Sequence, residues 1–174
     1  MGVQLGEAFA LEDHPVSLDS ARREYARDVN ANRLAASATN HCLTGCGIGE
    51  VLGMVLATWW GWGNAASIVL AIGLAFLFGY SLTLIPLLRA GTALGVAVGI
   101  ALVADTFSIV TMEIVDNAVL LVWPGALDAG LADLLFWRSL AISLAVAWGP
   151  TFLVNRALIR RGKGHARAHA AHSH

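Results

Sequence analysis

Polar and apolar residues along the chain separate into long blocks. After a polar opening, apolar residues dominate from about 42 to 60, 65 to 88, 92 to 123 and 136 to 159. Each block reaches the roughly 20 residues that a helix needs to cross a bilayer at ~1.5 Å per residue. WWGWGN (59–64) closes the first block with interfacial tryptophans and a turn, Pro86 and RAG close the second, and Pro124-Gly125 stops the third. Two lesser patterns flank the spans. SLDSARREYARDVNANRLAAS (17–37) is read as an amphipathic helix along the headgroups, capped by Ser17 or Asp19. GALDAGLADLLFW, with Leu127, Leu131, Leu134 and Leu135 near helical spacing, is read as a short surface helix between spans three and four.

The expected fold is therefore all-α: an integral membrane four-helix bundle at 39–159, with a polar arm at 1–38 and a basic, His-rich tail at 160–174. Composition agrees. Hydrophobic residues make up 57% of 174 and charged residues 13%, with a mean hydropathy of +0.66, outside the balance of a soluble domain. The N-terminus lacks the pattern of a cleaved secretory signal, and Gly149-Pro150 is a candidate kink in the fourth span. Net charge is −1 and no nucleic-acid motif is present.

Charge adds an orientation. With the N-terminus in the cytoplasm, Arg22, Arg23, Arg27, Arg33, Arg89, Arg156, Arg160, Arg161, Lys163 and Arg167 all fall on that side and Arg138 near the other. Both termini are thus expected in the cytoplasm. The spans show no internal repeat of the kind that builds inverted-repeat transporters.

Candidate chemistry lies inside the spans, where polar groups are costly and usually face a bundle interior or a wet cavity. In HCLTGCGIGEVLGM (41–54), Cys42, Cys46, Glu50 and Met54 recur every four residues and share one helix face, with His41 at its mouth. Gly45, Gly49 and Gly53 form a small-residue ridge beside them, suited to close helix contact and a candidate contact between copies. In the third span Asp105, Ser108, Met112 and Asp116 share a stripe with Glu113 beside it, and Asn155 closes the fourth span. Facing each other, the two stripes make a polar seam that can hold or pass a cation or relay protons. The metal candidates are His41, Cys42, Cys46, Glu50, Met54, Asp105 and Met112; Ser108, Glu113, Asp116 and Asn155 continue the seam. Packing alone is the competing reading for the cysteines, and explains Glu50 least. A continuous seam requires the Glu50 and Asp105 carboxylates to converge. The histidines at 165, 169, 172 and 174 are either a loose metal-collecting tail or a plain polar end.

The segments TNHCLTGCGIGEVLGM, FGYSLTLIPLLRAG, ADTFSIVTMEIVDN, PGALDAGLADLLFW and VNRALIRRGKGHA, in this order over about 38–166, resemble a bacterial membrane family known as domain of unknown function 4396. The resemblance implies an association with copper and no more; a location in the bacterial inner membrane is expected from the spans and the charge bias. His41, Cys42, Glu50, Asp105, Ser108, Glu113, Asp116, Asn117, Asp128, Asn155 and His165 match by position. Many relatives have Asp where this chain has Cys46, so a dithiol is not a shared chemistry. The chain contains no catalytic constellation and no cupredoxin-like β segment. The expected function is binding or conduction of a transition-metal cation, copper foremost, by a homo-oligomer or larger membrane complex. The alternative is a non-catalytic subunit or anchor of such a complex, and a haem or quinone oxidoreductase is weaker because His41 lacks an axial partner.

Overall fold

The computed structural model describes residues 18–161; the His-rich tail and the first residues of the polar arm lie outside them. Among the described residues there are four helices: α1 (Leu18–Trp60), α2 (Asn64–Arg89), α3 (Leu94–Val122) and α4 (Leu134–Arg160). All four are long and apolar enough to cross a membrane. Spans two to four begin and end within two residues of their expected limits, because Gly61 to Gly63, Gly91 and Pro124-Gly125 interrupt the helical pattern sharply. Gly61, Gly91 and Gly125 adopt positive φ at the three connections, where a β-carbon would be strained. Pro86 and Pro150 sit inside α2 and α4 without ending them.

The helices run up and down. Both described chain ends and the α2–α3 connection lie at one end of the bundle, the terminal end, and the other two connections at the far end. α1 packs most extensively on α2, α3 on α4, and α1 also meets α3 across the diagonal. That diagonal decides what can face what inside.

Burial is distributed as a bilayer demands. Leu77, Phe107, Ile114, Leu121 and Leu153 are exposed, whereas the interior holds Ala75, Gly79 and Thr83 of α2, Asp105, Ser108, Glu113 and Asp116 of α3, and Ser139, Ser143, Thr151 and Asn155 of α4. Large apolar side chains pointing outward around a small and polar interior suit hydrocarbon as the solvent.

The glycine ridge is consumed within the chain. A β-carbon on Gly49 would lie 2.3 Å from the Ala75 nitrogen, one on Gly53 2.7 Å from the Ala71 Cα and one on Gly45 2.9 Å from the Gly79 Cα. The ridge therefore seats α2 on α1, and it is not a free surface for a second copy.

Two expectations need correction. The arm is not a separate helix along the headgroups: it is continuous with the first span in a helix of 43 residues, about 64 Å long at ~1.5 Å per residue. No proline or glycine interrupts 18–44, so nothing in the sequence separates arm from span. Twice the ~30 Å hydrocarbon thickness cannot be accommodated by a span alone. The charged first turns consequently project beyond the bundle at the terminal end, with Ala31, Ala35 and Ala38 buried and Asp28 paired to Arg160 of α4. The expected surface helix is instead a run of turns between Trp123 and Leu134, with i to i+3 bonds such as Ala126 N–H to Trp123 O and Asp133 N–H to Gly130 O. Pro124, Gly125 and Gly130 break the periodicity that the leucines suggest.

Candidate functional site

Glu50 enters the interior from α1, and Glu113 and Asp116 from α3, three residues apart on one face. The close α1–α2 contact and the α1–α3 diagonal bring the three carboxylates near enough to act on one another electrostatically. Glu113 is 6% exposed and Asp116 1%, so both face the bundle interior. Both Glu50 carboxylate oxygens, Glu113 Oε1 and Asp116 Oδ1 are buried without a hydrogen-bond partner.

These groups line a cavity of about 230 Å³ at the far end, together with Met54 and Asn117. Its mouth is crossed by the α1–α2 connection and the α3–α4 turns, tied by Asn64 Nδ2 donating to Asp128 Oδ1 at 3.0 Å. Trp62 stands in the lining. Asn117 fixes Glu113 from one side, its Nδ2 donating to the Glu113 carbonyl at 2.9 Å and reaching Oε2 at 3.4 Å. The Cys46 thiol reaches Glu113 from α1, and Ser143 of α4 reaches Asp116. Three mutually facing carboxylates in a low-dielectric interior require compensation by protons or a bound cation.

A second polar group lies toward the terminal end. His41 Nε2 is 3.3 Å from Thr83 Oγ1, and Thr83 is hydrogen-bonded in turn with Asp105, so α1, α2 and α3 are linked in one chain. Beside it Ser108 Oγ donates to Asn155 Oδ1 at 2.6 Å, Asn155 Nδ2 to Thr39 Oγ1 at 3.0 Å, and Thr39 Oγ1 to the Ala35 carbonyl at 2.8 Å. Ser108, Asn155 and Thr39 each donate within that second chain, which marks it as a structural tie between α3, α4 and α1.

The expected continuous seam is therefore divided. Glu50 meets Glu113 and Asp116 rather than Asp105, which lies eight residues before Glu113 on α3, about 12 Å along the axis. Between the two groups Cys42, Cys46 and Met112 sit in an apolar cluster with Ala75, Ile109 and Ala147. Cys46 and Cys42 pack in the same cluster, both thiols are free, and neither lines the cavity. Of the expected metal residues only Glu50 and Met54 face the cavity. Among the described residues, no three His, Cys, Asp or Glu side chains stand close enough to hold a metal ion by themselves. Cu(I) fits this arrangement poorly: it favours sulfur, whereas the cavity presents mainly oxygen donors, and both thiols are packed in the core behind it.

Thr83, Thr39, Ser143 and Asn64 escape a search for ionisable residues. Thr83 carries one readable signal, since it continues the four-residue spacing of Ala75 and Gly79 on the face of α2 that meets α1.

Four long apolar helices around a polar, acid-bearing interior define a multi-pass α-helical membrane protein. Residues 32–164 match the family model described as domain of unknown function (DUF4396), and the chain belongs to that family. No curated protein and no solved structure matches the chain.

Proposed function

We propose that the protein binds a divalent cation, taken up through the far-end cavity at Glu50, Glu113 and Asp116. The observation that carries this reading is the convergence of three buried carboxylates, with four unpartnered oxygens, on a cavity open at one end. A cavity of about 230 Å³ has room for an ion with part of its hydration shell. Retained water explains how carboxylates too far apart to chelate a bare ion still serve it. Oxygen donors favour hard or borderline cations such as Mg²⁺, Mn²⁺ or Zn²⁺ over Cu(I). The charge bias supports a cytoplasmic terminal end, and on that reading the cavity faces outward across a bacterial inner membrane.

Titration of the purified protein in lipid nanodiscs with Mg²⁺, Mn²⁺, Zn²⁺, Cu²⁺ and Cu⁺, followed by calorimetry and by Trp62 fluorescence, tests the site. Glu50→Gln and Glu113→Gln should abolish or strongly weaken binding, and Cys42→Ser and Cys46→Ser should leave it intact. Binding that survives both Gln variants and is lost with the thiols would assign the site to sulfur instead. A chain that binds none of these ions overturns the reading.

A second reading, a membrane subunit that anchors a larger complex, draws on the projecting start of α1. Its charged residues and Tyr25, 74% exposed, form a helix surface reaching beyond the bundle. Purification in mild detergent with stoichiometric partners, lost when residues 1–27 are removed, would support it.

A further inference from the structure

The seam between α1 and α4 is basic at the terminal end and aromatic further in. Trp148, Phe152, Arg156 and Arg160 follow one another every four residues along α4 and so share one face. That face adjoins α1: Trp148 Nε1 donates to Asn40 Oδ1 at 2.9 Å, and Arg160 bonds Asp28. On α1, Arg33 and Asn40 are exposed and stand about two turns apart on one face. The Asn40–Trp148 bond sets the register. Arg33 lies seven residues from Asn40 toward the terminal end and Arg156 eight from Trp148, roughly 11 and 12 Å along their helices, so the two arginines stand at one level on either side of the seam.

That level falls in the headgroup layer. Exposed Trp59 and Trp60 mark the far interface. A hydrocarbon thickness of ~30 Å, about 20 residues of helix, leads back from Trp60 to Asn40 and leaves Arg33 and Arg156 beyond it, among the lipid phosphates. Between Arg33 and Asn40, α1 offers only the small Ala36 and Ser37 to the outside of the seam, while the Trp148 and Phe152 rings stack at 5.1 Å with 6° between their planes. The result is a shallow groove with a flat apolar wall. Arg156 is no free-ranging surface charge: it is half-buried, and its Nε is enclosed without a hydrogen-bond partner. An arginine that serves only to set topology extends into water, whereas a guanidinium held against protein with a donor unused is matched by an anion. The acids of α1 do not supply one. Arg160 engages Asp28, and Asp19 and Glu24 lie two turns or more beyond Arg33.

We propose that the α1–α4 seam binds an anionic phospholipid of the terminal-end leaflet, its phosphate held between Arg33 and Arg156 and its acyl chains laid along Phe152 and Trp148. Charge complementarity selects this occupant. A zwitterionic lipid brings a cation of its own toward the arginines, whereas phosphatidylglycerol presents phosphate alone. A free phosphate ion meets the same guanidinium groups but gains nothing from the apolar wall. A lipid bridging Arg33 and Arg156 also pins the projecting part of α1 to α4, next to the Asp28–Arg160 pair. The seam lies at the opposite end from the carboxylate cavity, so the proposal stands independently of the cation reading.

The test is native mass spectrometry of the purified full chain in detergent, which counts bound lipids, with thermal unfolding read in parallel. Phosphatidylglycerol should bind and raise the unfolding temperature, phosphatidylcholine should do neither, and inorganic phosphate should not displace the bound lipid. Arg33→Gln and Arg156→Gln should each weaken phosphatidylglycerol binding about fivefold, the effect of one arginine near an anionic surface. Phe152→Ala, which removes part of the apolar wall, should weaken it too. Arg89→Gln, exposed at the same end on α2, should leave binding unchanged, and cooperative unfolding of each variant without added lipid shows that it folds. Equal binding of the two lipids, or an equal loss in Arg89→Gln, means diffuse attraction to surface charge and overturns the site. Displacement by inorganic phosphate would assign the arginines to a free anion and overturn the lipid.

Discussion

Gly49 and Ala75 meet backbone to backbone: a β-carbon on Gly49 would stand 2.3 Å from the Ala75 nitrogen and 2.5 Å from its Cα. Backbone atoms cannot swing aside, so Gly49→Ala must push α2 away from α1 and loosen the wall that holds Glu50 in place. The expected loss is about 2 kcal/mol or more. Gly99 provides the internal comparison. It is exposed on α3 with nothing within 4 Å of an added β-carbon, so Gly99→Ala should be neutral or stabilising by up to about 1 kcal/mol. Unfolding in mixed micelles measures both, and equal effects would contradict this packing.

Asn155 joins three helices through Ser108 and Thr39. Asn155→Leu removes both interhelical bonds and leaves two buried hydroxyls short of a partner, a loss of about 0.6 to 2 kcal/mol on the scale found for hydrogen bonds between membrane helices. A double-mutant cycle with Ser108→Ala should show coupling, because each residue's contribution depends on the other. Strict additivity would mean that the chain is not formed in the bilayer.

Glu50→Gln should separate stability from function. Both Glu50 oxygens are buried without partners, so folding near neutral pH must either strip a carboxylate of water or protonate it, and a neutral isostere escapes that cost and should stabilise the cation-free protein by about 1 kcal/mol or more. The same change should weaken cation binding. The stability gap should close as pH falls, since protonated Glu is itself neutral. Thermal unfolding with and without Mn²⁺ reads both effects, and a variant that loses stability without Mn²⁺ contradicts the assignment.

The spans were legible because long apolar runs and Gly/Pro punctuation act locally. What was not legible was register. The stripes on α1 and α3 could be drawn from spacing alone, but Glu50 meets Glu113 and Asp116 because Gly49 seats α2 so deeply and α1 meets α3 on the diagonal. No helical wheel contains that offset. The cysteines drew notice by residue type, yet they occupy the apolar layer that divides the seam. Thr83 was overlooked because an isolated hydroxyl in a span is usually bonded to its own helix, as Thr111 is to Phe107 O. The arm was misjudged because composition separated it from the span, whereas helix continuity depends on breakers, and none lies between Leu18 and Thr44.

That continuity makes the first turns of α1 dependent on the end of α4. Asp28 accepts a hydrogen bond from Arg160, and this bond, with the nearby charges of Arg160 and Arg156, holds its carboxyl below the ordinary value of 3.8. A carboxylate depressed on folding contributes its stabilisation above the unfolded value, and that contribution is lost as pH falls through the folded one. Docking of the projecting helix on α4 should therefore hold at neutral pH and weaken below about pH 4. Both partners are well exposed, so the contribution is small and screened by salt. Hydrogen exchange of amides 24–34, corrected for intrinsic rates, should accelerate in acid and at high ionic strength, and Arg160→Gln should remove both responses. Exchange that ignores pH and salt in wild type would mean that Ala31, Ala35 and Ala38 hold this part of α1 against the bundle without the ion pair.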